Sequence, residues 1–209
     1  MKEKILIVSA TAFEVQPTLA HFGLQEADLV VHHNFDVLIT GVGMTATAFA
    51  LGKHLEPKKY ASVLNVGIAG SFDQQLALGS LVSIKEDYLS ELGAQDHDKF
   101  LTIDELGFGK NNFHATADIK DLLKVKGITV NTVHGNAKSI AEATSRFDPK
   151  TESMEGAAVF YACQQLQVPC AQVRSISNYV EPRNRSNWQI QLAIKNLNDW
   201  LISFLNYLS

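Results

Sequence analysis

The chain has 209 residues, 46% of them hydrophobic and 19% charged, with a formal net charge of −4. A chain this long buries about 70% of its extended surface, and nothing in its middle reads as a linker, so residues 1–209 are expected to form a single domain. The slight negative charge, with both signs spread along the chain, argues against a nucleic-acid binder with a basic face and against a disordered polyelectrolyte.

In chain order, Met1 to Lys4 followed by Ile5 to Ala10 is too short and too soon interrupted for a secretory leader. No apolar run approaches the roughly 18 residues of a membrane helix. The expected location is therefore the cytoplasm, with no membrane partner. Ile5 to Val8 reads as a buried strand, Phe35 to Thr40 as a second, Ala61 to Val66 as a third and Cys170 to Ile176 as a fourth. Continuous apolar strands of this kind are buried on both faces, which requires helices above and below the sheet. Helices are predicted for Met44 to Leu55, Ala117 to Lys124, Glu155 to Leu166 and Trp188 to Leu205. Leu81 to Phe113 reads as strands and loops. His32 and His33 are expected to point apart on a strand, and Phe160 and Tyr161 to belong to the core. Cys163 and Cys170 have no metal-ligand or redox-motif spacing and read as buried free thiols. Together these elements predict an α/β fold, a three-layer α/β/α domain around a central mixed, largely parallel sheet.

Ligands in such sheets gather beyond the carboxyl ends of the strands. That rule selects Glu14 in a first helical turn, the turn Gly41-Val42-Gly43, the run Val66-Gly67-Ile68-Ala69-Gly70, the pair Glu152 and Glu155 flanking Ser153-Met154 at a helix start, and Asn178 after a strand. Each has a bland reading as well: a solvated acid favoured by the helix dipole, a tight turn, a turn amide. The glycines do not form the third-glycine pattern of a dinucleotide fold or a P-loop. No cluster has metal-ligand spacing.

Taken together, Glu14, Gly41-Val42-Gly43, Asn65-Val66-Gly67-Ile68-Ala69-Gly70, Ser153-Met154-Glu155-Gly156-Ala157 and Arg174-Ser175-Ile176-Ser177-Asn178 resemble the purine nucleoside phosphorylase and nucleosidase superfamily over nearly the whole chain. Within it, Glu152 to Glu155 with Ser177 to Arg185 is most similar to the futalosine hydrolase family. The resemblance implies a cofactor-free hydrolase that removes hypoxanthine from futalosine in an alternative route to menaquinone. It implies Glu14 as the base that deprotonates water, Met154 and Glu155 as holding the ribose, and Gly43, Ala69, Gly70 and Arg183 as further substrate-binding positions. It also implies a small-molecule nucleoside as partner and a homo-oligomer.

Asn178 stands where adenine-specific nucleosidases of the superfamily carry an aspartate. An amide is no general acid, but its NH2 donates to a 6-oxo group while its oxygen accepts, which favours a 6-oxopurine. The arginines are Arg146, Arg174, Arg183 and Arg185, so the first part of the chain lacks the guanidinium that grips phosphate in phosphorylases. Arg183 and Arg185 are candidates for a carboxylate at the far end of the sugar, as are His97 and Lys99 where a loop from another subunit closes the pocket. The turn His134-Gly135-Asn136-Ala137 matches a stretch near the purine, with Ser139 offering backbone hydrogen bonds. A methylthioadenosine or adenosylhomocysteine nucleosidase, a purine nucleoside phosphorylase and a nucleoside-binding protein without turnover remain as alternatives.

Overall fold

The computed structural model describes residues 4–207. Met1 to Glu3, weighed above as part of a leader, lie outside the described residues. In chain order the elements are β1 (Lys4–Ser9), α1 (Ala12–His21), β2 (Leu29–Val31), β3 (Phe35–Ile39), α2 (Met44–His54), β4 (Tyr60–Ser71), β5 (Leu81–Leu89), β6 (Gly93–Asp96), β7 (Lys99–Thr102), β8 (Asn112–His114), β9 (Leu123–Thr129), α3 (Ala137–Phe147), β10 (Thr151–Ser153), α4 (Gly156–Leu166), β11 (Cys170–Tyr179), a short 3-10 turn (Arg185–Asn187) and α5 (Ile190–Tyr207). Among them no helix is long and apolar enough to cross a membrane.

The main sheet runs β10-β9-β5-β11-β4-β1-β3-β2, with β8 on β5. It is mixed: β1 pairs in parallel with β3 and β4, and β4 with β11, whereas β5 meets β11 antiparallel. A further antiparallel pairing, Thr151 with Ser71 and Glu152 with Gly70, joins β10 to β4. The strands β10-β9-β5-β11-β4 therefore curl into a closed ring, a feature that the three-layer prediction above does not include.

Alternate side chains of β1 and β4 point to opposite faces. Leu6, Val8 and Val63 join the core under α2 and α4 with Leu51, Val159 and Phe160. Ile7 and Leu64 join the other core with Val15, Leu19, Leu197 and Leu201 of α1 and α5. Helices thus cover the sheet from both sides, and the apolar runs that predicted this are the strands so covered. Cys163 and Cys170 are buried and free in the first core.

Four readings are corrected. Ala117 to Lys124 is not a helix: residues 117–122 form a loop in which Asp121 adopts φ 64°, and Leu123 and Lys124 begin β9. The segment is too short to hold a helix without tertiary support, and Val125, Gly127 and Ile128 are claimed by pairing with β5. Lys124 and Asp118 of this segment form an exposed ion pair. His32 and His33 occupy the β2–β3 turn with ring centroids 3.9 Å apart, because β2 ends at Val31. Tyr161 is exposed on α4 while Phe160 beside it is buried, as helical periodicity requires of neighbours at the edge of a buried face. Finally, Val66 to Gly70 is not a turn after the strand, because β4 continues to Ser71 between β11 and β10.

Candidate active site

A cavity of about 450 Å³ opens at the carboxyl ends of β1, β4 and β11, walled by the β10–α4 junction. Of the residues selected from the sequence, Glu14, Ala69, Gly70, Met154, Glu155, Asn178 and Arg183 line it. Gly43 does not, but its backbone N–H donates to Glu155 Oε1 at 3.0 Å. A cavity of about 530 Å³ beside Asn112, His114, Cys163 and Cys170 holds none of these residues.

Glu14 stands in the first turn of α1, where Thr11 caps the helix. Its Oε2 accepts from the Thr11 backbone N–H at 3.2 Å, the Thr11 hydroxyl at 3.1 Å and the Ser9 hydroxyl at 3.3 Å. Its Oε1 accepts from the Ile68 N–H at 3.0 Å. A helix N-terminus is where a carboxylate is best tolerated, and these donors fix its direction toward the cavity. The helix is anchored from α5: buried Asn198 donates to the Glu14 carbonyl at 2.8 Å and accepts from the Thr18 hydroxyl at 2.6 Å.

Glu155 caps α4. Burial pushes its carboxyl above the ordinary value, outweighing the opposing pull of Arg174 and the Gly43 N–H. Gly43 reaches it because its backbone takes φ 94°, a conformation that side chains rarely tolerate. Arg174 is 1% exposed, its Nη1 lying 3.9 Å from Glu155 Oε2. A Cβ on Gly67 would overlap both the Arg174 guanidinium and Glu14 Oε1, so the guanidinium runs under Gly67 between the two acids. Its Nε donates to Gln172 at 2.8 Å, and Gln172 donates to the buried Asp87, whose carboxyl is pushed up to about 6 chiefly by burial. Arg174 Nη2 is buried with no partner among the described residues, so both of its N–H groups are unpaired.

At the other end, Asn178 follows a bulge in β11. Its Oδ1 accepts from the Ser177 hydroxyl at 2.8 Å and its Nδ2 donates to the Tyr179 carbonyl at 3.1 Å, leaving one N–H free. Across from it, Glu152 is 4% exposed and takes His134 Nδ1 at 2.6 Å. This hydrogen bond raises the His134 ring above its ordinary value against the effect of burial. At the mouth, the Arg183 guanidinium lies 5.2 Å from the Trp188 ring centroid and that of Arg185 5.6 Å.

Sequence reasoning named Arg174 and Glu152 without giving either a role, and it missed Trp188. His134 of the predicted turn lines the cavity; Ser139 does not, and its N–H is spent on the Asn136 side chain, which caps α3. Arg185 does not line the cavity, and His97 and Lys99, expected to serve a neighbouring subunit's pocket, sit on the β6–β7 hairpin.

Three comparisons place this geometry among known proteins. Residues 4–206 match the model of the phosphorylase superfamily. The chain is 33% identical over 178 residues to the futalosine hydrolase of Streptomyces coelicolor, covering 79% of this chain and 76% of that one. It is 26% identical to the 5′-methylthioadenosine/S-adenosylhomocysteine nucleosidase of Glaesserella parasuis, covering 97% and 98%. The native structure of futalosine hydrolase from Helicobacter pylori superposes with a TM-score of 0.83 at 19% identity, over 98% of each chain, and so shares the fold. The chain belongs to the phosphorylase superfamily and, within it, to the futalosine hydrolase family.

Proposed function

We propose that this chain hydrolyses the N-ribosyl bond of futalosine, releasing hypoxanthine, as a step toward menaquinone. The observation that carries the reading is one cavity lined by two held carboxylates, Glu14 and Glu155, and an amide, Asn178. Glu14 takes a proton from water as the water oxygen bonds to the anomeric carbon. Glu155 accepts hydrogen bonds from the ribose hydroxyls and stabilises the positive charge that the sugar acquires as its bond to the base breaks. Arg174 lies behind the acids and favours the charged form of Glu155.

The base departs as an anion and takes a proton from solvent after the bond has broken. In a 6-oxopurine that charge spreads onto the 6-oxo oxygen, where the free Asn178 N–H donates, so no side chain must protonate the ring before the bond breaks. Adenine lacks such an oxygen, which accounts for an amide in place of an acid. Ala69 and Gly70 supply backbone beneath the base, and Met154 an apolar wall against the ribose. Arg183, stacked on Trp188, pairs with the aromatic carboxylate at the far end of the substrate.

On this reading residues 1–209 act as one unit, a three-layer arrangement with a curled sheet, working without cofactor as a homo-oligomer in the cytoplasm. The adenine-releasing alternative is favoured by the relative from Glaesserella parasuis, which is matched over nearly its full length. The two separate in one assay of futalosine, inosine and methylthioadenosine, each with and without phosphate. Hypoxanthine release from futalosine without phosphate is expected. Adenine release from methylthioadenosine would replace the proposal with the adenine nucleosidase, and a phosphate requirement would replace it with a phosphorylase.

A further inference from the structure

Glu152 is not used by the chemistry above, yet it is a carboxylate on the wall of the reaction cavity. It is positioned with care. Strand β10 pairs on both sides, with Gly70 of β4 and Ile128 of β9, so its backbone cannot drift. The His134 backbone N–H donates to Oε1 at 3.1 Å and the His134 ring to Oε2 at 2.6 Å. A carboxylate has about four acceptor positions, and these donors leave two of them unfilled. A Cβ placed on Gly70 would lie 3.2 Å from Asn178 Nδ2 and 3.5 Å from Glu152 Cγ, so amide and carboxylate flank the same bare stretch of backbone.

We infer that Glu152, held by His134, reads the N1 edge of the purine: its carboxylate accepts the N1–H of a 6-oxopurine while Asn178 donates to the adjacent oxygen. The inference rests on the reading of this cavity as a purine nucleoside site. In a 6-oxopurine, N1–H and the oxo group are neighbouring donor and acceptor, the complement of an acceptor-only carboxylate beside an amide donor. In adenine both are inverted. N1 is then an acceptor facing a carboxylate, and a site built to hydrogen-bond its ligand rejects an analogue that leaves a buried charge unpaired. Glu152 is thus a specificity-determining residue and His134 a positioning residue.

The test uses the full chain and free bases, with nucleoside turnover alongside. In calorimetric titration the unmodified protein is expected to bind hypoxanthine about 30-fold more tightly than 1-methylhypoxanthine, in which a methyl group replaces the N1–H. Glu152→Gln offers an amide donor to N1 and is expected to lower the hypoxanthine-to-adenine ratio of kcat/KM about 100-fold. His134→Gln, which keeps a donor toward Glu152, should retain more of that ratio than His134→Ala. Equal binding of the two hypoxanthines, or a ratio unchanged in Glu152→Gln, would overturn the inference while leaving hypoxanthine release intact. Absence of purine release from any nucleoside by the unmodified protein would instead overturn the functional reading, and this one with it.

Discussion

Glu14 and Glu155 lie in one cavity but in different surroundings. Glu14 is surrounded by donors, whereas Glu155 accepts from the Gly43 N–H and has a guanidinium at 3.9 Å. Glu14→Gln keeps the shape and most of the hydrogen bonds but removes the base, so kcat should fall about 100-fold to 10,000-fold with nucleoside affinity nearly unchanged. Burial-dominated elevation gives Glu155 a different signature. A carboxyl whose folded value is raised adds stability only where it is protonated, and that contribution is lost as pH rises through the folded value. At neutral pH the charge therefore costs stability. Glu155→Gln should abolish turnover while raising Tm, by about 2–4 °C per kcal/mol recovered; thermal scans at pH 7 and pH 4 check it, with the gain shrinking at the lower pH. Glu14 and Asn178 were legible because each follows a predicted strand by a few residues, and Glu155 because it opens an apolar helix. The bonds between Glu152 and His134, or between Arg174 and Gln172 and onward to Asp87, were not, since they join strands that no local pattern pairs.

At the scale of elements, β4 shows how a strand can carry a site. Gly67 is bare because Arg174 and Glu14 occupy the space of its side chain. Gly67→Ala forces the guanidinium out from between the acids, so kcat should drop by at least about 100-fold with a lower Tm, since overpacking of this kind costs about 1–3 kcal/mol. Gly52 gives the contrast. It lies in α2 with open space for 4 Å around the position a Cβ would take, and Gly52→Ala should raise stability by about 0.8–1 kcal/mol with activity unchanged. Denaturant titration of both variants reads the opposite signs. The sequence pattern found β1, β3, β11 and the long helices α2, α4 and α5 because each is apolar in its own period. It stopped β4 early at its glycines, which mimic a turn. It also passed over α3, although Asn136 before Ile140, Ala143 and Phe147 is a cap followed by one apolar stripe.

For the molecule as a whole, the far end of the sheet from the cavity is tied by charge. Asp36 is buried, which alone would raise its carboxyl, but hydrogen bonds from Lys59, Lys4 and Tyr60 outweigh burial and hold it below the ordinary value. A carboxylate depressed in this way contributes stability above its unfolded value, and that contribution is lost as pH falls through the folded one. Asp36→Asn should cost about 3 kcal/mol at pH 7, and the difference from the unmodified protein should shrink below about pH 4. Two-sided helical cover was readable from continuous apolar strands, but ring closure was not, since Thr151 and Ser71 stand far apart in the chain and no local signal pairs them. That closure makes the cavity a late product of folding. The loop between the two strands must be drawn shut before Glu152 and Gly70 meet, and long-range pairings of this sort are slow to form. After dilution from denaturant, far-ultraviolet ellipticity should therefore return in an earlier phase than catalytic turnover, with the ring as the last piece to click into register.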